Sequence, residues 1–148
     1  MRLSAVREVV HEQVVVDRPP SAAWKHLAKL EEWPGWAVHI RRMHPNPPGD
    51  LTDSTQVVLH MRAGPRTKMI VTEYDPPQRW VWEGRSFGVT TRFEHKLEEI
   101  GGGCTRIWFL AWMSGPLAGP AGWTFGKMMH RYLARALPKL KSEIEAAD

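Results

Sequence analysis

The chain holds one cysteine in 148 residues, Cys104, so no disulfide can form within it and a reducing cytoplasm is the expected compartment. The opening residues show no continuous apolar segment of the secretory type, and no stretch is long and apolar enough to span a bilayer. Histidines are scattered (His11, His26, His39, His44, His60, His95, His130) without the paired spacing of metal ligands, so neither a metal site nor a cofactor is expected. There is no phosphate-cradling glycine loop and no nucleophile elbow, and Gly101-Gly102-Gly103 reads as a hairpin turn. Repeats, low-complexity tracts and linkers are missing too. Residues 1–148 therefore read as one domain, long enough to bury a core unaided. The formal charge of +4 and pI near 9.5 permit anionic partners without demanding them, and nothing indicates nucleic acid.

Tryptophan is what the chain has in excess, with eight residues. An indole is costly to bury completely because its N–H needs a partner, so some of the eight are expected at a cavity or an interface. The segment 78–99 is the most informative. From Val89 onward, Val89, Thr91, Phe93, His95 and Leu97 share one parity, and Thr90, Arg92, Glu94, Lys96 and Glu98 share the other. Strand side chains alternate faces, so one face is dry and one wet, and His95 lies on the dry one. Trp80, Trp82 and Gly84 extend that apolar wall from the preceding strand.

Residues 6–16 are valine-rich and read as a strand ended by Asp17-Arg18-Pro19-Pro20. Ser21 to Trp33 is expected as a helix, with Trp24, Leu27, Ala28 and Glu31 on one face and Pro34 closing it. A second short helix is expected over Gly35 to Arg42, then a proline loop from His44 to Asp50. Runs at 54–62, 67–74, 79–85, 88–99 and 104–113, separated by turn signals, predict an antiparallel meander. From Leu117 to Ala147, apolar positions including Phe125, Met129, Tyr132, Leu133, Ala136, Leu140 and Ile144 step at three and four, which predicts one long amphipathic helix. On strand 6–16, Glu8 and Glu12 share the parity of Val10, Val14 and Val16, which marks either as a polar anchor pointing inward.

This order of elements is that of an α+β helix-grip fold, a curved antiparallel sheet around a long C-terminal helix with two short helices after the first strand. The chain resembles the START-like, or SRPBCC, superfamily and within it the polyketide cyclase/dehydrase-like branch. The resemblance is carried by Val16-Asp17-Arg18-Pro19-Pro20-Ser21-Ala22-Ala23-Trp24, Trp33-Pro34-Gly35-Trp36, Tyr74-Asp75-Pro76-Pro77-Gln78-Arg79-Trp80 and Gly103-Cys104-Thr105-Arg106. It implies a cavity between sheet and helix. Members of the superfamily bind lipids, sterols, quinones, plant hormones or polyketides, and some catalyse cyclisation or dehydration; fold alone does not choose among these.

The expected ligand wall comprises Trp36, Tyr74, Trp80, Trp82, Phe93, His95, Phe109, Met128 and Tyr132, with ordinary core packing as the competing reading of the aromatic set. His95 is the one candidate catalytic side chain, a neutral imidazole if buried. The reading that follows is a binder of a small hydrophobic or aromatic molecule, lipid-, polyketide- or quinone-like. An aromatase/cyclase-type enzyme using His95 is the alternative, and an interaction protein with a side-chain-filled cavity is the third. On the last strand, Thr105, Ile107, Phe109, Ala111 and Met113 match the cavity-facing parity of the family. Trp108, Leu110 and Trp112 then share the convex face, where a homodimer contact is expected to cover the two indoles. Lys127, Arg131, Arg135 and Lys139 recur along the last helix, either as a solvated face or as a contact for phosphate or an anionic membrane surface.

Overall fold

The computed structural model describes residues 6–147. Seven antiparallel strands form one sheet: β1 Arg7–Val16, β2 Ile40–Asn46, β3 Gln56–Met61, β4 Thr67–Asp75, β5 Arg79–Ser86, β6 Val89–Gly101 and β7 Cys104–Ser114. Their spatial order is β1-β7-β6-β5-β4-β3-β2, so β2 to β7 run as a meander and β1 returns to pair with β7. Helix α1 covers Pro20–Leu27, a 3-10 turn covers Leu30–Gly35, and helix α2 covers Ala118–Ala146. The sheet curves around α2 as a half-barrel, the helix-grip arrangement expected from the sequence. Among the described residues, no helix is long and apolar enough to cross a membrane.

Burial alternates along β7 without a break, with Thr105, Ile107, Phe109, Ala111 and Met113 buried and the residues between them half-buried. The helix answers with Met129, Leu133, Ala136, Leu137, Leu140 and Ile144, all buried in the same core. Each large apolar side chain so buried contributes roughly 1.5–3 kcal/mol relative to exposure. Two glycines set how closely α2 approaches β1. A Cβ on Gly126 would lie 2.8 Å from the Val9 carbonyl oxygen, and one on Gly122 would lie 3.0 Å from Val9 Cγ1. The contact falls at a bulge, because the β1–β7 register shifts between Glu8 and Val10.

That bulge separates the two acids expected to share a face. Glu8 pairs across from Trp112 on the convex side and bonds His11, whereas Glu12 stays on the helix side and its carboxylate meets His130 of α2 at 2.7 Å. Glu12 is thus the inward one, spent on the helix and not on the cavity.

Two helical expectations need correction. The helix expected over Ser21–Trp33 stops at Leu27, because Lys29 leaves helical geometry (ψ 77°) and the Trp33 indole N–H folds back to the Leu27 carbonyl at 2.7 Å. The helix expected over Gly35–Arg42 does not form. Its last three residues begin strand β2, where a register shift between Ile40 and Arg42 leaves both Arg41 and Arg42 exposed and hides the strand alternation. Strand β2 also takes in His44-Pro45-Asn46 from the expected loop; as an edge strand it tolerates a proline. Helix α2 begins at Ala118 despite Gly119 and Pro120, since a proline in the first turn forfeits no intrahelical N–H bond.

Candidate functional site

Strands β5 and β6 pair Trp80 with His95 and Trp82 with Phe93, and β6 and β7 pair His95 with Phe109. The apolar wall is therefore a patch three strands wide with His95 at its centre. The 3-10 turn lowers Trp33 onto it. The Trp33 ring lies 5.7 Å from Trp82, 5.6 Å from His95 and 4.9 Å from Trp36, in edge or tilted geometry throughout. Such arrangements suit the ring quadrupoles.

Between this wall and α2 lies a cavity of about 40 Å3. The sheet lines it with Val10, Leu59, Met61, Trp82, Phe93, His95, Phe109 and Leu110, and α2 lines it with Met129 and Leu133. The segment between α1 and β2 completes it with Trp33, Trp36 and His39, joined by Ile40 at the start of β2. As it stands the space holds roughly three waters.

Several polar groups in and behind this wall lack partners. Among the described residues, the buried side-chain nitrogens without a hydrogen bond are Trp36 Nε1, His39 Nδ1, Trp80 Nε1, His95 Nδ1 and Arg106 Nε. Three of those five residues, Trp36, His39 and His95, line the cavity. Burial disfavours the imidazolium, lowering the pKa of His95 to about 3 and that of His39 to about 4. Both rings are neutral at physiological pH, and each offers one donor and one acceptor beside the indole donor of Trp36.

A family model described as polyketide cyclase / dehydrase and lipid transport matches residues 7–145. The chain belongs to this family. Solved structures share its fold: a hypothetical protein from Helicobacter pylori (16% identity, TM-score 0.77, 94% of this chain and 87% of that one); the Zhui aromatase/cyclase from a Streptomyces species (16%, 0.68, 95% and 94%); and a START superfamily protein from Mycobacterium smegmatis (16%, 0.64, 92% and 96%). None of the curated proteins compared matches the chain.

In this member of the polyketide cyclase/dehydrase and lipid transport family, the nine residues expected to form a ligand wall fall into three groups. Trp36, Trp82, Phe93, His95 and Phe109 line the cavity together. Trp80 lies behind it, fully buried between Trp24 and His95, and Tyr74 packs on Trp24 with its hydroxyl donating to the Leu51 carbonyl. Met128 and Tyr132 line a separate shallow groove on the outer side of α2. Tyr132 nonetheless packs on a residue that lines the cavity, its ring 5.8 Å from that of His39.

Trp33 and His39 were missing from the sequence-based set. Trp33 read as the last residue of a helix, and His39 sat in a segment expected to be helical, where no parity assigned it a face.

On the convex side the two indoles of β7 are half-buried and carry cations from their own chain. The Arg92 guanidinium lies 5.4 Å from the Trp112 ring, the Arg106 guanidinium 5.8 Å from Trp108, and His11 meets Trp108 edge-on at 5.5 Å.

Proposed function

We propose that the domain binds a small hydrophobic or aromatic molecule, lipid-, polyketide- or quinone-like, between the sheet and α2. One observation carries the reading. An otherwise apolar cavity has three buried polar side chains, Trp36, His39 and His95, each with a nitrogen left unpaired. An unsatisfied buried donor or acceptor costs about 1–3 kcal/mol, and a guest with a hydroxyl or carbonyl group would recover that cost. Apolar walls would supply affinity and the three nitrogens orientation, the usual division in a small-molecule site.

Pockets for drug-sized ligands span about 300–1,000 Å3, far above the present 40 Å3, so a guest of that size would need the lining to part; α2, which supplies Met129 and Leu133 to it, would move off the sheet. Gly119, Gly122 and Gly126 precede those two residues on the same helix. Proton transfer by His95, as in a cyclase, is the weaker reading: a base with a pKa of about 3 is poorly matched to neutral pH. A cytoplasmic setting is proposed with it, on the lone cysteine.

Native mass spectrometry of the protein as purified tests the reading, backed by tryptophan-fluorescence titration with fatty acids, flavonoids and aromatic polyketides. A bound small molecule or a saturable emission change supports it. A ligand-free mass with no response across the series would leave a side-chain-filled core, and with it an interaction protein.

A further inference from the structure

We propose that the β5–β6 hairpin tip and the exposed face of α2 from Trp123 to Arg135 dock onto an anionic lipid bilayer. The surface combines two features.

The first is exposed apolar bulk. Phe87 is 77% exposed at the tip of the hairpin, Leu117 is 53% exposed just before α2, and Trp123 is 63% exposed in its second turn. They belong to one end of the molecule: a Cβ on Gly88, next to Phe87, would lie 3.8 Å from Leu117 Cδ1. Phe87 also holds a left-handed backbone (φ 49°), a conformation that disfavours bulky residues. The two-residue turn Phe87-Gly88 joins the paired residues Ser86 and Val89, a position suited to asparagine and glycine. An aromatic ring displayed to solvent on a strained backbone is a local cost without a folding return.

The second is charge of one sign. Between Ala118 and Ser142 the chain carries Lys127, Arg131, Arg135, Lys139 and Lys141 and no acidic residue. Lys141 pairs with Glu145, whereas the other four form no ion pair among the described residues. Lys127 lies over the Trp123 ring at 4.3 Å, joining the charged row to the apolar end. Lys127, Arg131 and Arg135 line the shallow groove that also holds Tyr132. Basic residues flanking exposed Trp, Phe and Leu are the composition of an interfacial membrane contact, with the rings at headgroup level and the cations against anionic lipid. Tyr132 in this groove packs on His39, which lines the cavity.

The inference goes beyond ligand binding and is tested without a ligand, by cosedimentation with phosphatidylcholine vesicles with and without phosphatidylserine. Partitioning is expected only with phosphatidylserine and should weaken as salt rises. Arg131→Gln/Arg135→Gln should lower it about thirtyfold, and Phe87→Ser/Trp123→Ser roughly tenfold. All four positions are exposed, so circular dichroism should show an unchanged fold. Lys25→Gln/Lys29→Gln, on and just after α1 at the other end of α2 where His26 bonds Glu143, is the control for unspecific charge attraction. No partitioning, partitioning indifferent to the first two variants, or an equal loss in the control would each overturn the assignment.

Discussion

His95 stacks on Trp80 with ring centroids 4.2 Å apart and planes 13° from parallel. The ring is also enclosed by Trp33, Trp82 and Phe109, each edge-on at 5.3–5.6 Å. A protonated imidazole would gain from the indole face yet lose its hydration, and desolvation prevails, holding the pKa to about 3. With His39 at about 4, both histidines take up protons more readily in the unfolded chain, near pH 6.5, than in the folded one.

Stability should therefore be complete above pH 6.5 and fall as the pH drops toward 4, where the unfolded state binds up to two more protons. The limiting slope is about 2.7 kcal/mol per pH unit. Urea unfolding at pH 7 and pH 5 measures it. His39→Gln/His95→Gln should be less stable at pH 7 and distinctly flatter between the two pH values. Parallel losses in both proteins would place the acid sensitivity elsewhere.

The parity of segment 78–99 was enough to position His95, Trp80 and Trp82, because a strand in a meander sorts its side chains by a local rule that needs no knowledge of the partner. For Phe109 the rule gave only a choice of two faces, and the family resemblance picked the one facing the cavity. The rule failed where the backbone shifts by one residue: at Glu8 the bulge turns one acid outward, and at Arg41 and Arg42 it erases the alternation that would have revealed β2. It was also silent on depth. Trp80 and Trp82 share a face, yet only Trp82 reaches the cavity, because Trp24 from α1 covers its neighbour. Met128 and Tyr132 fell to the outer groove for a related reason, since helical periodicity fixes a stripe but not which edge of it meets the sheet.

Binding and catalysis make different demands on His95. As a hydrogen-bonding wall residue it should tolerate His95→Gln with affinity for a responding ligand lowered about tenfold or less, the loss of one neutral hydrogen bond. As a general base it would lose on the order of a hundredfold or more in rate with affinity nearly unchanged. We expect the first outcome. Affinity and turnover measured on one aromatic substrate in both proteins decide it, and a collapse of turnover alone would promote the cyclase reading.

Phe87→Asn should stabilise the domain. The left-handed conformation costs an L-residue about 1–2 kcal/mol, and asparagine relieves much of it, so thermal unfolding should show a gain of about 1 kcal/mol. If membrane docking is what the ring serves, the same variant should lose affinity for phosphatidylserine vesicles while gaining stability. A variant no more stable than the parent would mean that Phe87 makes compensating contacts at the tip.

A homodimer through Trp108 and Trp112 is proposed on the ground that two half-buried indoles share one strand of the convex face. Arg92 and Arg106 already lie over these rings, so a partner would have to pack on guanidinium as well as indole. Sedimentation at micromolar concentration should show a dimer that Trp108→Ser/Trp112→Ser dissociates. A strict monomer whose double variant keeps its solubility would make the arginines a sufficient cover.

Substitution of glycine by alanine in α2 should change sign with position. Gly119 has nothing within 4 Å of its missing Cβ, so Gly119→Ala adds helix propensity, about 1 kcal/mol at most, without a clash. At Gly126 the new methyl would sit 2.8 Å from the Val9 carbonyl oxygen, a backbone atom that cannot swing aside as a side chain would. Either β1 or α2 must retreat, at a cost of about 1–3 kcal/mol. If α2 moves off the sheet to admit a guest, as proposed, Gly126→Ala should both lower the melting temperature and increase the fluorescence response of the cavity tryptophans to an apolar probe. Equal and small effects at the two glycines would show that α2 does not rest on the Val9 bulge, and that the cavity must open by another route.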